Sequence, residues 1–506
     1  MKVFLRTVAA SLGMTTLCLL WVVGPLASPA RNVIYHWSGP PATIFVPVIL
    51  DFVGCWLLLG VLFVLGERYQ PFRLYLWTCI PLLLPWILLK NATVLGVISI
   101  PTWASWLLLA SSLIALPLRL TLWRRALQLF FEPLQGFMYT LFCFAAVPGL
   151  IMLCQLLWFW PQARGLNSEG SGRPVPRAAL SGSTGPRVIW ILFDELSYSQ
   201  VYEQRYPGLK LPAFDQLASQ GTIFTHVIPA GFHTEEVLPA LMTGRPVDRI
   251  SSSAAGLLST HTTGGSWKKF DQHQTVFQDA VDAGYRAGIA GWYNPYCRIL
   301  PDVLDRCFWA YSQPMVNHMN SSFSVRENLI APFRTLGDEP LRLHLEEFRE
   351  LSQAADAMLH DPSLNFILLH MPIPHPMGIY NRAAGNFAIE PTSYIDNLAL
   401  ADLYLAHVRD ALERSGEWDS STIIVMGDHS WRTHLWMKTG GWTAEDQRAS
   451  HGGQFDDRPA YIVKLPYQHR PARIDSPVEA LRTRQMVDAM IHGKISDADG
   501  LAAWAR

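Results

Sequence analysis

The chain has 506 residues, half of them hydrophobic, and a formal net charge of −1. That length allows more than one domain. The near-neutral charge, without a basic cluster or aromatic–basic interleaving, argues against nucleic acid as a partner. Charge is unevenly spread, since residues 1–160 hold 12 of the 81 Asp, Glu, Lys and Arg and the remaining 346 hold 69. The chain therefore reads as two bodies built for different solvents, membrane first and water second.

Five apolar stretches, roughly 7–28, 42–66, 74–100, 103–122 and 136–160, are long enough to cross a bilayer. The third contains Lys90 and Asn91, so its outer end is expected to break or to lie in the interface. Basic residues set the orientation. Lys2 and Arg6 precede the first stretch, Arg68 and Arg73 separate the second from the third, and Arg119, Arg124 and Arg125 separate the fourth from the fifth. The alternate loops carry little beyond Arg31 and Lys90. An inside N-terminus and five spans place everything after residue 160 outside the cytoplasm. The first stretch also fits a cleaved signal peptide, with Lys2 and Arg6 before it and small residues from Ala27 to Ala30. The four remaining spans would leave the rest of the chain outside all the same. Trp158 and Trp160 suit an interfacial aromatic belt. Asp51, within the second span, reads as a functional carboxylate or, equally, as one paired inside the bundle.

Residues 161–187 are rich in Gly, Ser, Pro and Arg and have no apolar period, as a flexible linker would. From there the pattern alternates. Residues 188–193 form a short continuous apolar run, expected of a strand buried on both faces. Similar runs fall at 222–227, 287–292, 364–369, 422–426 and 460–465. Helical stretches lie between them. In one, Leu398, Ala401, Leu405, Val408 and Leu412 make one apolar face, and Gly416 fits its C-terminal stop. Strands alternating with helices predict an α/β sandwich with a largely parallel sheet over 188–506. Of seven cysteines, Cys18, Cys55, Cys79, Cys143 and Cys154 sit in apolar segments and read as small hydrophobes. Cys297 and Cys307 are the two in the exported part, and no CxxC motif exists, so one disulfide is favoured over a cysteine zinc site.

In such sheets the active site lies beyond the carboxyl ends of the strands. Polar residues gather at those ends. The first run ends in Asp194-Glu195, the run at 364–369 leads into His370 and then His375, and the run at 422–426 ends in Asp428-His429-Ser430. His451-Gly-Gly453 precedes the last run. The stretch 231–245, GFHTEEVLPALMTGR, places Thr234 where a turn hands over to a helix. A hydroxyl there sits at the positive end of a helix dipole, a place that suits an anionic ester. It also suits an ordinary N-cap. Carboxylate, imidazole and hydroxyl together are a set that binds hard-to-borderline divalent metals.

With these residues in order, 188–466 resembles the alkaline phosphatase superfamily in its sulfatase-like branch. An apolar strand ends in an acid (VIWILFDEL), and a nucleophile position stands ten residues before Gly244 of a TGR element. An acidic helix and a strand then lead to a DH pair (YIDNLALADLYL, IIVMGDHS), and a late HGG element precedes a strand. Sulfatases proper carry Cys or Ser in a Cys-x-Pro-Ser-Arg motif, matured to formylglycine. Thr234 with Leu238 departs from that. Threonine there is similar to lipid A phosphoethanolamine transferases and lipoteichoic acid synthases, which also have five N-terminal spans and an external catalytic domain. Their acid is usually Glu, whereas Asp194 stands here, and the extra cysteine pairs of many phosphoethanolamine transferases are missing.

The resemblance implies that Asp194, Thr234, Asp428 and His429 bind one divalent metal, Zn2+ or Mn2+, with Ca2+ and Mg2+ as alternatives. Thr234 would attack phosphorus. His375 and His451 would be substrate-side histidines, with His370 and Arg432 as further substrate candidates and Glu195 supporting the ligands from behind. The expected protein is a multi-pass enzyme of the cytoplasmic membrane, a monomer, with a sulfatase-like domain facing the periplasm or cell exterior. Its expected role is to transfer a phosphoethanolamine- or phosphoglycerol-type group onto envelope lipid or glycan. The rivals are a phosphatase or sulfatase that only hydrolyses such esters, and a non-catalytic envelope scaffold of this fold.

Overall fold

The computed structural model describes residues 2–27, 35–36, 42–94, 107, 110, 124–164, 185–253, 256–310 and 339–506. The chain divides into two compact units, one holding Met1–Asn167 and the other Ser168–Ser312 and Pro340–Arg506.

The first unit contains helices α1 (Lys2–Ala27), α2 (Ala42–Arg68), α3 (Gln70–Val94) and α4 (Arg124–Arg164). Within them Ile44–Arg68, Gln70–Leu89 and Glu132–Ala163 are long and apolar enough to cross a membrane, and Phe4–Leu20 is a shorter apolar helix. Apart from residues 107 and 110, the expected span at 103–122 lies outside the described residues, as does the outer end of the third beyond residue 94. Small residues let α1 and α4 close on each other. A Cβ on Gly13 would lie 1.8 Å from the Phe142 carbonyl oxygen, and one on Gly149 would lie 1.9 Å from Thr16 Oγ1. That is the kind of contact on which helices associate where burying apolar surface drives nothing. Phe63, Trp77, Tyr139 and Phe142 fill the space between helices. Asp51 is buried at 1% exposure, and neither of its oxygens has a hydrogen-bond partner among the described residues.

The second unit is built on an eight-stranded mixed sheet. Its strands are β1 (Val188–Asp194), β2 (Thr222–Phe224), β3 (Ala287–Trp292), β4 (Arg306–Ala310), β5 (Phe366–Pro374), β6 (Thr422–Gly427), β7 (Tyr461–Lys464) and β8 (Ala472–Ile474). Their spatial order is β8-β2-β7-β6-β1-β5-β3-β4. Every neighbouring pair is parallel except those made by β7, which runs against both β6 and β2. All seven residues of β1 and all nine of β5 are buried, because helices cover both faces of the central strands. Helix α5 (Pro212–Gln220), helix α7 (Glu339–Leu359) and helix α8 (Tyr394–Arg414) contribute to that cover through Phe214, Leu351 and Leu405.

Helix α8 starts at a capping box, in which the Ser393 side chain accepts from Asp396 N and the Asp396 side chain accepts from Ser393 N. It stops at Gly416, whose φ of 72° the absent Cβ permits. The run at 222–227 is divided into β2 and a separate pair of residues, Val227–Ile228. Strands β4 and β8 were not expected from the apolar pattern. β4 is mostly half-buried and β8 has three residues, so neither makes a continuous apolar run.

Cys297 and Cys307 are disulfide-bonded, with Cα atoms 5.6 Å apart. The bond ties the turn after β3 to β4. Replacing both by serine should lower the unfolding free energy by about 2–3 kcal/mol, since the closed loop is short. Comparing the urea midpoints of the two proteins checks this. Labelling of both thiols in unreduced, unfolded protein would refute the bond itself.

Candidate active site

Three central strands and one helix deliver their polar residues to the same place. β1 ends on Asp194, β6 runs straight into Asp428 and His429, and His370 comes from within β5, paired in register with Leu192 on one side and Gly291 on the other. Helix α6 (Thr234–Thr243) contributes its first residue. Its N-cap is His233, so Thr234 occupies the first helical position and does not cap the helix. The Thr234 hydroxyl donates instead to Asp428 Oδ2 at 2.8 Å, with Asp194 Oδ2 at 3.3 Å and His429 Nε2 at 3.4 Å. Thr234 is 5% exposed and the other three are 1% or less, so this polar knot is shut off from solvent on most sides.

The electrostatics of the knot call for a cation. Burial, and then the charges of Asp428 and Glu195, push the Asp194 carboxyl well above its ordinary range, and burial raises Asp428. Burial also lowers His370 and His429 to about 4, so both imidazoles are neutral at neutral pH and offer a lone pair. Two buried polar atoms, Asp194 Oδ1 and His370 Nε2, have no hydrogen-bond partner among the described residues. Ligand atoms of Asp194, His370 and Asp428 lie within 4.8 Å of one another, as do those of Asp194, Glu195 and His429. A divalent cation fits this set. It would satisfy the orphaned atoms and relieve the repulsion between paired carboxylates. His370, expected on the substrate side, is thus grouped with two proposed metal ligands.

Around the knot a ring of contacts fixes orientation. Asp428 Oδ1 accepts from the amides of Glu195 (3.0 Å) and His429 (2.7 Å). Glu195 adopts φ 64°, a strained conformation for a residue with a Cβ. Its carbonyl accepts from Tyr394 Oη at 2.7 Å, and its carboxylate grips Arg432 through Nε (2.8 Å), Nη2 and the backbone amide (3.1 Å). Trp436 Nε1 donates to the same carboxylate at 2.9 and 3.0 Å. Glu195 is therefore chiefly the counter-ion that aims Arg432. Arg432 in turn donates from Nη1 to the Phe232 carbonyl, just ahead of Thr234.

His375 packs its ring against Trp436 and Trp292, with centroids 4.9 and 5.3 Å away, and its Nδ1 lies 2.8 Å from the Pro376 carbonyl. Burial, with His344 and Arg432 adding to it, holds its pKa well below the usual imidazole value. His451 stands apart. It is exposed, adopts φ 49°, and lines a cleft with Ser197, Gln200, Thr433 and Gln454. No described hydrogen bond joins it to Thr234 or its partners.

Several supporting residues escaped the sequence reading, because nothing in their spacing marks them. Asn294 Nδ2 donates to the carbonyl of Thr234 at 3.3 Å. Tyr296 Oη lies 2.7 Å from His370 Nδ1, so His370 is oriented with Nε2 toward the knot. Gly291 makes room for the Tyr296 ring, since a Cβ there would come within 2.2 Å of Tyr296 Cε2. The neighbouring Cys297 carries the disulfide. Tyr296→Phe should therefore weaken metal retention by about 10- to 100-fold while costing only about 1 kcal/mol of stability. Chelator competition and thermal melting read the two separately, and equal metal affinity in both proteins would rule out the orienting role.

The sulfatase family signature matches residues 186–467, more than half of the chain. No curated protein matches it in a sequence search. Among solved structures it is similar to Ps i-CgsB in complex with k-i-k-neocarrahexaose, at 17% identity and a TM-score of 0.44, covering 63% of this chain and 74% of that one. It is also similar to a protein in the alkaline phosphatase superfamily from Vibrio parahaemolyticus, at 15% identity and a TM-score of 0.36, covering 63% and 68%. A third is the phosphonate monoester hydrolase of Agrobacterium radiobacter, at 15% identity and a TM-score of 0.38, covering 61% and 74%. With its family signature laid over β1 to β7 and an acid–imidazole cluster at their carboxyl ends, the chain belongs to the sulfatase family and is a sulfatase-like enzyme.

Proposed function

We propose that this protein is a membrane-bound, metal-dependent transferase that moves a phosphoethanolamine- or phosphoglycerol-type group onto envelope lipid or glycan, with Thr234 as nucleophile. The observation that carries the reading is the Thr234 hydroxyl itself, buried at the head of α6 and spent on Asp428, Asp194 and His429 instead of on its own helix. Asp194, Thr234, Asp428 and His429, with His370 beside them, would hold the divalent metal, Zn2+ or Mn2+ by ligand type. When bound, such an ion lowers the pKa of a ligating hydroxyl and neutralises phosphoryl charge.

The chain's own residues supply the rest. Thr234 gives its proton to Asp428 Oδ2, its hydrogen-bond acceptor, as Oγ1 bonds to phosphorus and the bond from phosphorus to the donor's leaving oxygen breaks, and Asp428 passes that proton on to the departing oxygen. Arg432, aimed by Glu195, faces the phosphoryl oxygens. His375, with Nδ1 turned to Pro376 O, keeps Nε2 as its basic nitrogen and takes the proton of the acceptor hydroxyl. The acceptor oxygen then bonds to phosphorus as the bond to Thr234 Oγ1 breaks, and His375 returns the proton to Oγ1, which restores the free enzyme. The second reading, hydrolysis of phosphate or sulfate esters, has the family match in its favour and differs only in using water as acceptor. Threonine at position 234 argues against formylglycine chemistry in either case.

Envelope lipid profiling in cells with and without the protein tests the reading. A head-group mass gained on one lipid and lost from another supports transfer. Loss of an ester group with no recipient supports hydrolysis, and unchanged profiles count against both. The Arg and Lys asymmetry supports a catalytic domain outside the cytoplasm. A phosphatase reporter fused after residue 165 should be active in a bacterial host, whereas activity of a cytoplasm-only reporter at the same point would reverse the orientation.

A further inference from the structure

After α6 the chain folds a three-stranded antiparallel meander from Arg249–Ser252, Leu258–His261 and Lys268–Lys269. Its side chains alternate between two faces, as strand geometry requires. Ile250, Ser252 and Leu258 are buried on one of them. Arg249 pairs with His261, and Ser251 pairs with Ser259, which pairs with Lys269, so these five share the other face. Trp267, just before the third strand, lies against them. Its ring is 5.2 Å from that of His261 and 5.7 Å from the Arg249 guanidinium. It is 46% exposed, and Arg249 and Lys269 are exposed with it.

The charges around the indole are held in place. His261 Nδ1 lies 2.7 Å from Asp248 Oδ1, and Thr263 Oγ1 donates to Asp248 Oδ2 at 2.6 Å, so this acid serves to hold the imidazole. The imidazole nitrogens in turn lie 3.2 and 3.3 Å from Arg249 Nη2, which keeps the guanidinium beside the indole. Lys269 also lines a cleft of about 480 Å³, together with Asp271, Gln272, Gln274 and Arg298. Asp271 accepts there from the His273 amide at 3.0 Å and from Gln274 Nε2 at 3.2 Å, so its charge is turned to its own loop.

An indole set among cations and hydroxyls suits a charged sugar. The C–H side of a pyranose packs on the electron-rich face of an aromatic ring, and Arg and Lys pair with its anionic substituents. We propose that this face and the cleft beside Lys269 form a docking site for an anionic glycan of the envelope, apart from the knot that does the chemistry. Charge and composition select that occupant. A protein partner needs an apolar core depleted of charge, whereas the indole here is ringed by charged and hydroxyl side chains. A nucleic acid needs a strongly basic domain, and the chain carries a net charge of −1. The inference goes beyond the transfer reading, which concerns the ester at Thr234. The described bonds of Thr234 Oγ1 run to Asp194, Asp428 and His429, not to this face.

The test puts the full-length protein in detergent on an array of microbial oligosaccharides. Phosphorylated or uronate-bearing chains are printed beside their neutral counterparts, with oligoglutamate as a polyanion that lacks sugar. Binding should favour the charged glycans, and calorimetric titration with the strongest binder gives its Kd. Trp267→Ala should weaken that Kd by about 10-fold or more, the size of a central aromatic contact. Trp267→Tyr keeps a stacking ring and should recover part of the loss. Arg249→Ala/Lys269→Ala should bring charged and neutral glycans to the same level. These side chains are exposed, so melting temperatures should stay at the wild-type value. Absence of binding to every glycan, or an unchanged Kd in Trp267→Ala, would overturn the proposal. Oligoglutamate bound as tightly as the glycans would overturn it too, and would make the face a site for an acidic protein. Thr234→Ala protein should bind the same glycans with the wild-type Kd, so failure of the nucleophile and failure of the docking site are separate results.

Discussion

Thr234→Ala should abolish turnover and leave a folded protein that still binds its substrate. Loss of a catalytic nucleophile costs on the order of 10⁴- to 10⁶-fold in rate. Loss of a helix cap costs about 1 kcal/mol and spares chemistry. The structure places Thr234 at the first position of α6, behind the N-cap His233, with its hydroxyl 2.8 Å from Asp428 Oδ2. Alanine is a good residue for a helix, so the backbone loses nothing by the change. The lost group is the hydroxyl that donates to Asp428 and stands beside Asp194. Thr234→Ser keeps the oxygen and should retain part of the rate, with its rotamer less restrained for want of the methyl. Steady-state rates on a substrate that the wild type turns over decide the matter. Intact-protein mass spectrometry during turnover should in addition show a substrate-derived adduct on the Thr234 peptide. An alanine variant with near wild-type rate would end the nucleophile reading.

Asp428→Ala and His429→Ala should each empty the metal site. A supporting residue behind a ligand is worth about 10- to 100-fold in metal affinity, and removing a ligand itself should exceed that. The two variants are expected to differ in their side effects. Asp428 also accepts from the amides of Glu195 and His429, so alanine leaves two buried donors unmet and should cost roughly 1–3 kcal/mol for each of them. His429→Ala leaves those bonds in place and opens a cavity instead. Elemental analysis after gel filtration, read beside thermal melts, separates loss of metal from loss of fold. Full occupancy in both variants would refute the ligand set.

Much of the architecture was legible because it depends on local pattern. β1, β3 and β6 are continuous apolar runs, which is how strands buried on both faces must read, and α8 carries a helical stripe closed by Gly416. The polar residues that end those strands were legible for the same reason, since parallel strands deliver their carboxyl ends to one edge. Asp194, Asp428 and Thr234 meet there.

What distance in sequence concealed was the packing around them. The sequence left Thr234 divided between cap and nucleophile. Only the fold decides where its hydroxyl points, because Asp428 is 194 residues away. It also put His451 on the substrate side and His370 among the further substrate candidates. Tertiary structure separates them: the inward pleat of β5 turns His370 into the knot against Tyr296, while a left-handed turn leaves His451 in solvent. By itself, then, the sequence determined the elements, their edge and the kinds of residue at it, all set by periodicity and strand polarity. Which of those residues touch was decided by long-range packing, where burial and charge act between positions that no local pattern connects.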